Sequence, residues 1–111
     1  MATYATAYSK QGHGGIDNYL FQQIMNMSPE QLVLKIYDIA IVSVKKGEKQ
    51  RANRAIAELI GSLNFDYQEM AIGLFRLYRY AQTKIREGNK EEAIMILEEL
   101  RNTWATAFNL R

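Results

Sequence analysis

The chain has 111 residues, of which 48% are apolar, and its formal net charge is +2. This size predicts one domain, and the absence of cysteine excludes disulfides, thiolate metal sites and thiol catalysis. The small net charge does not indicate a nucleic-acid or membrane partner, and no apolar run or leader pattern predicts a membrane span or a signal peptide, so we expect a cytoplasmic protein.

Residues 1–15 are glycine-rich and contain the only histidine, His13, so we predict a flexible arm there and a single helical domain over 16–111. A general base must be held close to its target, which a mobile arm cannot do, and we therefore assign no catalysis to His13. Residues 16–26 predict a short helix because these apolar and polar positions recur at helical spacing: Ile16, Tyr19, Leu20, Gln23 and Ile24.

A strong helix start follows at Ser28, which can accept a hydrogen bond from the first turn, with Gln31 completing a capping box. Pro29 fits the first helical position because its missing N–H is not needed there. This first long helix is predicted to run to about Lys46 and to end at Gly47. Its apolar residues cover an arc of roughly 220°, about twice what an ordinary surface helix needs.

The second long helix is predicted over about 48–63 and joins the first in an antiparallel hairpin. Asp66 with Glu69 predicts a capping box for the third helix, which continues to about Glu87. Asn89 with Glu92 predicts the start of a fourth helix that reaches about Ala107. The predicted inward side chains of the third helix are Met70, Leu74, Leu77, Tyr78, Ala81 and Ile85, with Phe75 at the edge.

No segment alternates with the period of a strand, so the predicted fold is all-α: an antiparallel up-down four-helix bundle with a short N-terminal cap segment. Its predicted stripes on the second and fourth helices are Ala52, Ile56, Leu59, Ile60 and Leu63, and Ala93, Ile94, Leu97, Leu100, Trp104 and Phe108. Tyr37, Phe75, Tyr78 and Trp104 are predicted to fill its wide layers.

Chemistry-bearing patterns are scarce. Four glutamates of the fourth helix lack the histidines of a di-metal bundle, and no glycine-rich loop suits a phosphate, so we predict no enzyme, no metal site and no cofactor. Basic residues gather at the tip of the first hairpin, but no aromatics interleave with them, which favours a solvated tip over a nucleic-acid site. The four glutamates are Glu91, Glu92, Glu98 and Glu99, and the basic residues are Lys45, Lys46, Lys49, Arg51 and Arg54.

The apolar surface exceeds what a core requires. On the first helix, Leu34 and Ile41 lie about half a turn from the apolar residues Leu32, Ile36 and Ile39. On the third, Ile72 and Tyr80 lie off the inward face. One interpretation is thick packing or a homodimer seam. The other is a groove that receives segments of a partner, covered by the N-terminal segment when the partner is absent.

Several segments resemble the flagellar secretion chaperone family FliS. Ser28-Pro29-Glu30-Gln31-Leu32 followed by Tyr37-Asp38 resembles its N-terminal signature, and the match extends in order to about residue 107. The remaining matching segments are Tyr19, Gln23 and Ile24, Glu58-Leu59-Ile60 with Ser62-Leu63-Asn64, Leu77-Tyr78 with Tyr80, and Leu100-Arg101 with Trp104.

The resemblance implies a non-catalytic cytoplasmic chaperone that binds the disordered C-terminal segment of flagellin in apolar grooves. Binding would prevent premature polymerisation and deliver flagellin to the export gate. With the helical-wheel argument, it predicts a partner groove of Leu34, Tyr37, Ile41, Ile56, Ile60, Phe65, Ile72 and Tyr80, and an N-terminal cap of Tyr19, Gln23 and Ile24.

The chain also departs from the resemblance. Its first hairpin is shorter than is usual in the family, and Ile39 stands where a glycine is expected. These departures leave open a divergent paralogue that serves as adaptor for another flagellar protein. The excess apolar surface separately leaves open a structural homo-oligomer that uses it for self-association.

Overall fold

A computed structural model of the chain describes residues 21–110. Four long helices follow one another, which we number α1 to α4, and residues 21–25 before them are also helical. The all-α prediction is therefore confirmed. Contacts divide the chain between Leu32 and Val33, and the bundle below refers to residues from Val33 onward. The helices are α1 Pro29–Lys45, α2 Lys49–Gly61, α3 Gln68–Arg86 and α4 Lys90–Ala107.

The start of α1 has the predicted capping box. The backbone N–H of Gln31 donates to Ser28 Oγ at 3.1 Å, and the backbone N–H of Ser28 donates to Gln31 Oε1 at 2.9 Å. Both side chains thus satisfy backbone donors that the first turn leaves without partners. This start is determined locally, and for that reason the sequence predicts it correctly.

The α1–α2 and α3–α4 turns are built alike. Gly47 and Gly88 have φ angles of 76° and 80°. This conformation is unfavourable for residues that carry a Cβ atom, so glycine is preferred in both turns. In the first turn the N–H of Glu48 donates to the carbonyl of Ser43 at 2.8 Å, and in the second the N–H of Asn89 donates to the carbonyl of Lys84 at 2.9 Å. These bonds close the helix ends in the Schellman manner.

The α2–α3 loop differs from the prediction. Residue Tyr67, and not Asp66, precedes the first turn of α3, and it makes no side-chain capping bond. The N–H of Asp66 instead donates to Asn64 Oδ1 at 2.9 Å, so the loop forms its own local turn. The capping box predicted for Asp66 and Glu69 is therefore wrong, whereas Asn89 does cap α4 through the N–H of Glu92 at 3.3 Å.

Neighbouring helices run antiparallel, as two pairs of contacts show. Lys49 Nζ donates to the carbonyl of Arg86, and Gln82 Nε2 donates to the carbonyl of Asn53. Later residues of α2 therefore lie beside earlier residues of α3, and the two helices are antiparallel. Between α1 and α4, Asp38 bonds Arg101 at 2.9 Å and Lys45 pairs with Glu98 at 3.6 Å. The core contains buried residues from all four helices: Tyr37, Ala40, Ile41, Val44, Ala52, Ala55, Ile56, Leu59, Tyr78, Ala81, Ile85, Ala93 and Leu97.

Helix α3 is rotated relative to the prediction. Met70 and Leu77, predicted to face inward, are 69% and 42% exposed, while Ala71 and Gln82 are buried. On a helical wheel the buried face of α3 lies roughly 40–50° from the most apolar face. Small Ala71 and Ala81 let α3 approach its neighbours closely, and this packing outweighs the burial of two larger side chains. Phe75, predicted to fill a core layer, is also exposed.

Candidate functional site

The eight residues of the predicted groove fall into two groups. Four of them are buried in the structure: Leu34, Tyr37, Ile41 and Ile56. Tyr37, Ile41 and Ile56 belong to the core cluster. The helical wheel identified them as apolar but could not tell core from groove. They line no open surface in the described part of the chain, because all four are buried.

The other four predicted residues lie at or near the surface. Ile60 is half-buried against the core, and Phe65, Ile72 and Tyr80 are exposed. Large apolar side chains are normally buried when a neighbour is at hand, so a set of exposed ones marks a surface suited to a partner. All four belong to α2, α3 or the loop between them.

The contacts between α2 and α3 fix the register of this surface. Lys49 lies beside Arg86 and Asn53 lies beside Gln82, so residue numbers on the two helices increase in opposite directions. Continuing that register along both helices places Ile60 level with Phe75. Leu63 follows the end of α2 and packs against the core. Ile60 also shares a helix side with Asn53, seven residues earlier, which faces α3.

This register groups three of the predicted residues at the α2–α3 side of the bundle: Ile60, Phe65 and Ile72. Ile60, Leu63, Ile72 and Phe75 form what we call the α2-side row, and Phe65 lies in the loop at its end. Leu63 and Phe75 are the members that the predicted groove lacked. Sequence spacing alone could have indicated Phe75, three residues after Ile72 on the same helix side, but pairing it with α2 requires the register.

Tyr80 does not belong to this row. Its hydroxyl donates to Glu92 Oε1 of α4 at 3.5 Å, which places it on the opposite side of α3. Met70 and Leu77, seven residues apart, lie toward that side. We call Met70, Leu77 and Tyr80 the α4-side row. Between the two rows α3 presents Arg76, which is exposed, so Ile72 and Tyr80 belong to separate surfaces.

A buried tyrosine pair lies behind these rows. The hydroxyl oxygens of Tyr37 and Tyr78 are 2.6 Å apart, and either hydroxyl can donate. Burial raises the pKa of Tyr37, and neighbouring Tyr78 raises it further. Burial also raises the pKa of Tyr78, although its bond to Tyr37 acts in the lower direction. Both groups stay neutral over the physiological pH range, so the pair serves packing between α1 and α3.

The predicted N-terminal cap is only partly within the described residues. Gln23 and Ile24 are helical, Gln23 exposed and Ile24 half-buried, while Tyr19 lies outside the described residues. The same holds for His13 and the arm predicted over 1–15. The short helix predicted over 16–26 is helical at 21–25 in its described part. The cap role of these residues stays a prediction.

Two glutamates of α4 contact side chains of neighbouring helices. Glu98 pairs with Lys45 and Glu92 accepts from Tyr80. Over residues 21–110 no group of three or more candidate ligands could hold a metal ion. In the same range no helix is long and apolar enough to cross a membrane.

The sequence was compared with known proteins. No curated protein and no solved structure matches the chain. The family described as flagellar protein FliS matches residues 13–110, which is most of the chain and includes all four long helices. The helical architecture found above agrees with that match, and the chain belongs to the FliS family of flagellar chaperones.

Proposed function

We propose that this chain is an export chaperone for flagellin. It binds the disordered C-terminal segment of flagellin on its apolar surface, prevents premature polymerisation and delivers flagellin to the flagellar export apparatus from the cytoplasm. The observation that carries the proposal is the family match over residues 13–110. Binding of a disordered segment, without catalysis or cofactor, is the whole activity.

The exposed rows of α3 support this function. A segment that orders on binding loses conformational entropy, so its interface must bury extensive apolar area in compensation. Phe65, Ile72 and Phe75 offer such area on one side of α3, and Met70, Leu77 and Tyr80 on the other. Methionine and aromatic side chains suit a surface that adapts to an extended or helical partner. We place flagellin first on the α2-side row, because two helices line it.

The groove residues that are buried take a different role in this proposal. Leu34, Tyr37, Ile41 and Ile56 support the rows from beneath and contact flagellin only where binding moves their cover aside. The predicted cap of Tyr19, Gln23 and Ile24 would be such a cover. Both statements stay proposals.

The test is calorimetric titration of the full chain with the C-terminal segment of flagellin from the same source. We expect one-to-one binding with a large negative heat-capacity change. Phe75→Ser should weaken binding by more than about tenfold, since it removes an apolar contact at the centre of the α2-side row. Val42→Ser is the matched control, because Val42 is a similarly exposed apolar residue on α1.

Each result has a definite meaning. Equal weakening by Phe75→Ser and Val42→Ser would remove the α2-side row from the interface. No binding by the unmodified chain would overturn the flagellin assignment. In that case, sedimentation equilibrium showing self-association would favour a homodimer or larger homo-oligomer, and a monomer would favour an adaptor for another flagellar protein.

A further inference from the structure

Charge is unevenly distributed along the bundle. The two glycine turns lie at one end, and we call residues 45–54 and 84–92 the basic end. It contains eight lysines and arginines and four glutamates, a surplus of four positive charges, whereas the whole chain has a surplus of two. The rest of the chain is therefore net acidic, and the positive field of the protein originates at this end.

Contacts between the two turns make the basic end one surface. Lys90 Nζ, from the start of α4, lies 3.4 Å from where a Cβ atom on Gly47 would be. Lys49 Nζ, from the start of α2, reaches the carbonyl of Arg86 at 3.5 Å. Each lysine thus lies against the C-terminal end of a helix in the other turn, where a positive charge is favourable.

Some positive side chains of the basic end do not lie against a helix end. The side chains of Lys46 and Arg54 form no ion pair or hydrogen bond with the described residues, and both residues are exposed. Arg51 reaches Glu48 at only 3.9 Å, an exposed contact that contributes little. An open depression of about 450 Å³ lies among these side chains, lined by Gly47, Glu48, Lys49, Gln50, Arg51 and Arg54.

The chemistry of the surface selects among acidic partners. Over 45–54 and 84–92 every exposed side chain is polar or charged. Single-stranded nucleic acid is usually bound with aromatic platforms, and membrane surfaces with inserted apolar side chains, and the basic end has neither. Carboxylates need only hydrogen-bond donors and positive charge, which arginine and lysine supply together.

We infer that the basic end is a docking surface for an acidic segment of a partner protein. Such a segment places carboxylates in the depression beside Arg51 and Arg54 and against Lys46. The surface lies at the end of the bundle away from the α2–α3 loop, so it is separate from the α2-side row, on which we place flagellin first. It meets the α4-side row at Tyr80, whose hydroxyl bonds Glu92. This inference does not depend on flagellin binding. The basic end would give the chaperone a second surface, by which another protein recognises it.

The experiment follows backbone amide resonances of the full chain during titration with a peptide of alternating aspartate and glutamate, about twelve residues long. We expect changes confined to 45–54 and 84–92, with affinity falling steeply between about 50 mM and about 300 mM salt. Lys46→Glu with Arg54→Glu should weaken binding by more than about tenfold. Lys35→Glu with Arg76→Glu is the control, because it lowers net charge equally at exposed sites elsewhere.

Two results would overturn the inference. One is equal loss in both double variants, or resonance changes spread over the described surface, since either means general charge attraction. The other is tighter binding of a DNA duplex of similar charge, or of phosphatidylglycerol vesicles, than of the peptide. Titrating the same samples with flagellin distinguishes this inference from the proposed flagellin binding. Lys46→Glu with Arg54→Glu should change the affinity for flagellin by less than about twofold relative to the unmodified chain.

Discussion

Helices α1 and α3 both carry apolar side chains on more than one side, but the structure buries them differently. On α1, Leu34 and Ile41 are each 6% exposed, and Val42 is the one large apolar side chain of that helix that is exposed. On α3, five large apolar side chains are exposed: Met70, Ile72, Phe75, Leu77 and Tyr80. The wide apolar arc of α1 is thus largely buried, whereas α3 leaves much of its apolar surface exposed, and the rows proposed as the partner surface include these side chains.

The comparison predicts that the same substitution causes a large loss of stability on α1 and a small one on α3. Leu34→Asp should lower the free energy of unfolding by at least about 3 kcal/mol, because it loses apolar burial and places a carboxylate where water is excluded. Leu77→Asp should cost less than about 1 kcal/mol, since Leu77 is 42% exposed. Urea unfolding followed by circular dichroism measures both. If Leu77→Asp lowered the free energy of unfolding as much as Leu34→Asp, the result would contradict the exposed position of Leu77 on α3.

The next effect concerns the point where the two helices meet. Tyr37→Phe should cost about 1–3 kcal/mol, because it leaves the buried hydroxyl of Tyr78 without its partner at 2.6 Å. Tyr37→Phe with Tyr78→Phe should cost less than the sum of the two single changes, since no unsatisfied hydroxyl remains. Additive costs in urea unfolding would show that the bond contributes nothing between α1 and α3.

The smallest effect is a dependence on alkaline pH. The folded state raises the pKa of both tyrosines, whereas in the unfolded chain they titrate near about 10. Above that pH the unfolded chain releases protons that the folded chain retains, so the free energy of unfolding falls as pH rises. Between pH of about 10 and 11, the double phenylalanine variant should lose less stability than the unmodified chain. An equal loss in both proteins would exclude the pair as its source.

Local features of the fold could be predicted from sequence. The Ser28 and Gln31 box, the glycine ends at Gly47 and Gly88 and the Asn89 cap each depend on a few adjacent residues. Backbone hydrogen bonding within one turn decides them, whatever the rest of the chain does. The Asp66 box failed because Asn64 offers the loop a competing local bond.

The candidate site could be predicted only in part. Sequence reasoning identifies Ile72 and Tyr80 because they lie off the predicted inward face of the third helix. It identifies Phe65 because it lies at a helix end, and Ile60 because it belongs to the apolar stripe of the second helix. Tyr37 and Ile56 were included although both are core residues. A helical wheel gives the direction of each side chain about one axis but carries no information on which directions neighbouring helices occupy.

The sequence by itself determined four helices and the ends at Ser28, Gly47, Gly88 and Asn89, because capping, glycine conformation and apolar periodicity are properties of short segments. The tertiary structure alone decided which apolar side chains stay exposed. Helix α3 buries the small Ala71 and Ala81 and leaves Met70 and Leu77 facing outward, and the contact between Gln82 and Asn53 sets the register of α3 against α2. Packing is a property of the whole bundle, since each helix buries only the face that its neighbours can fill.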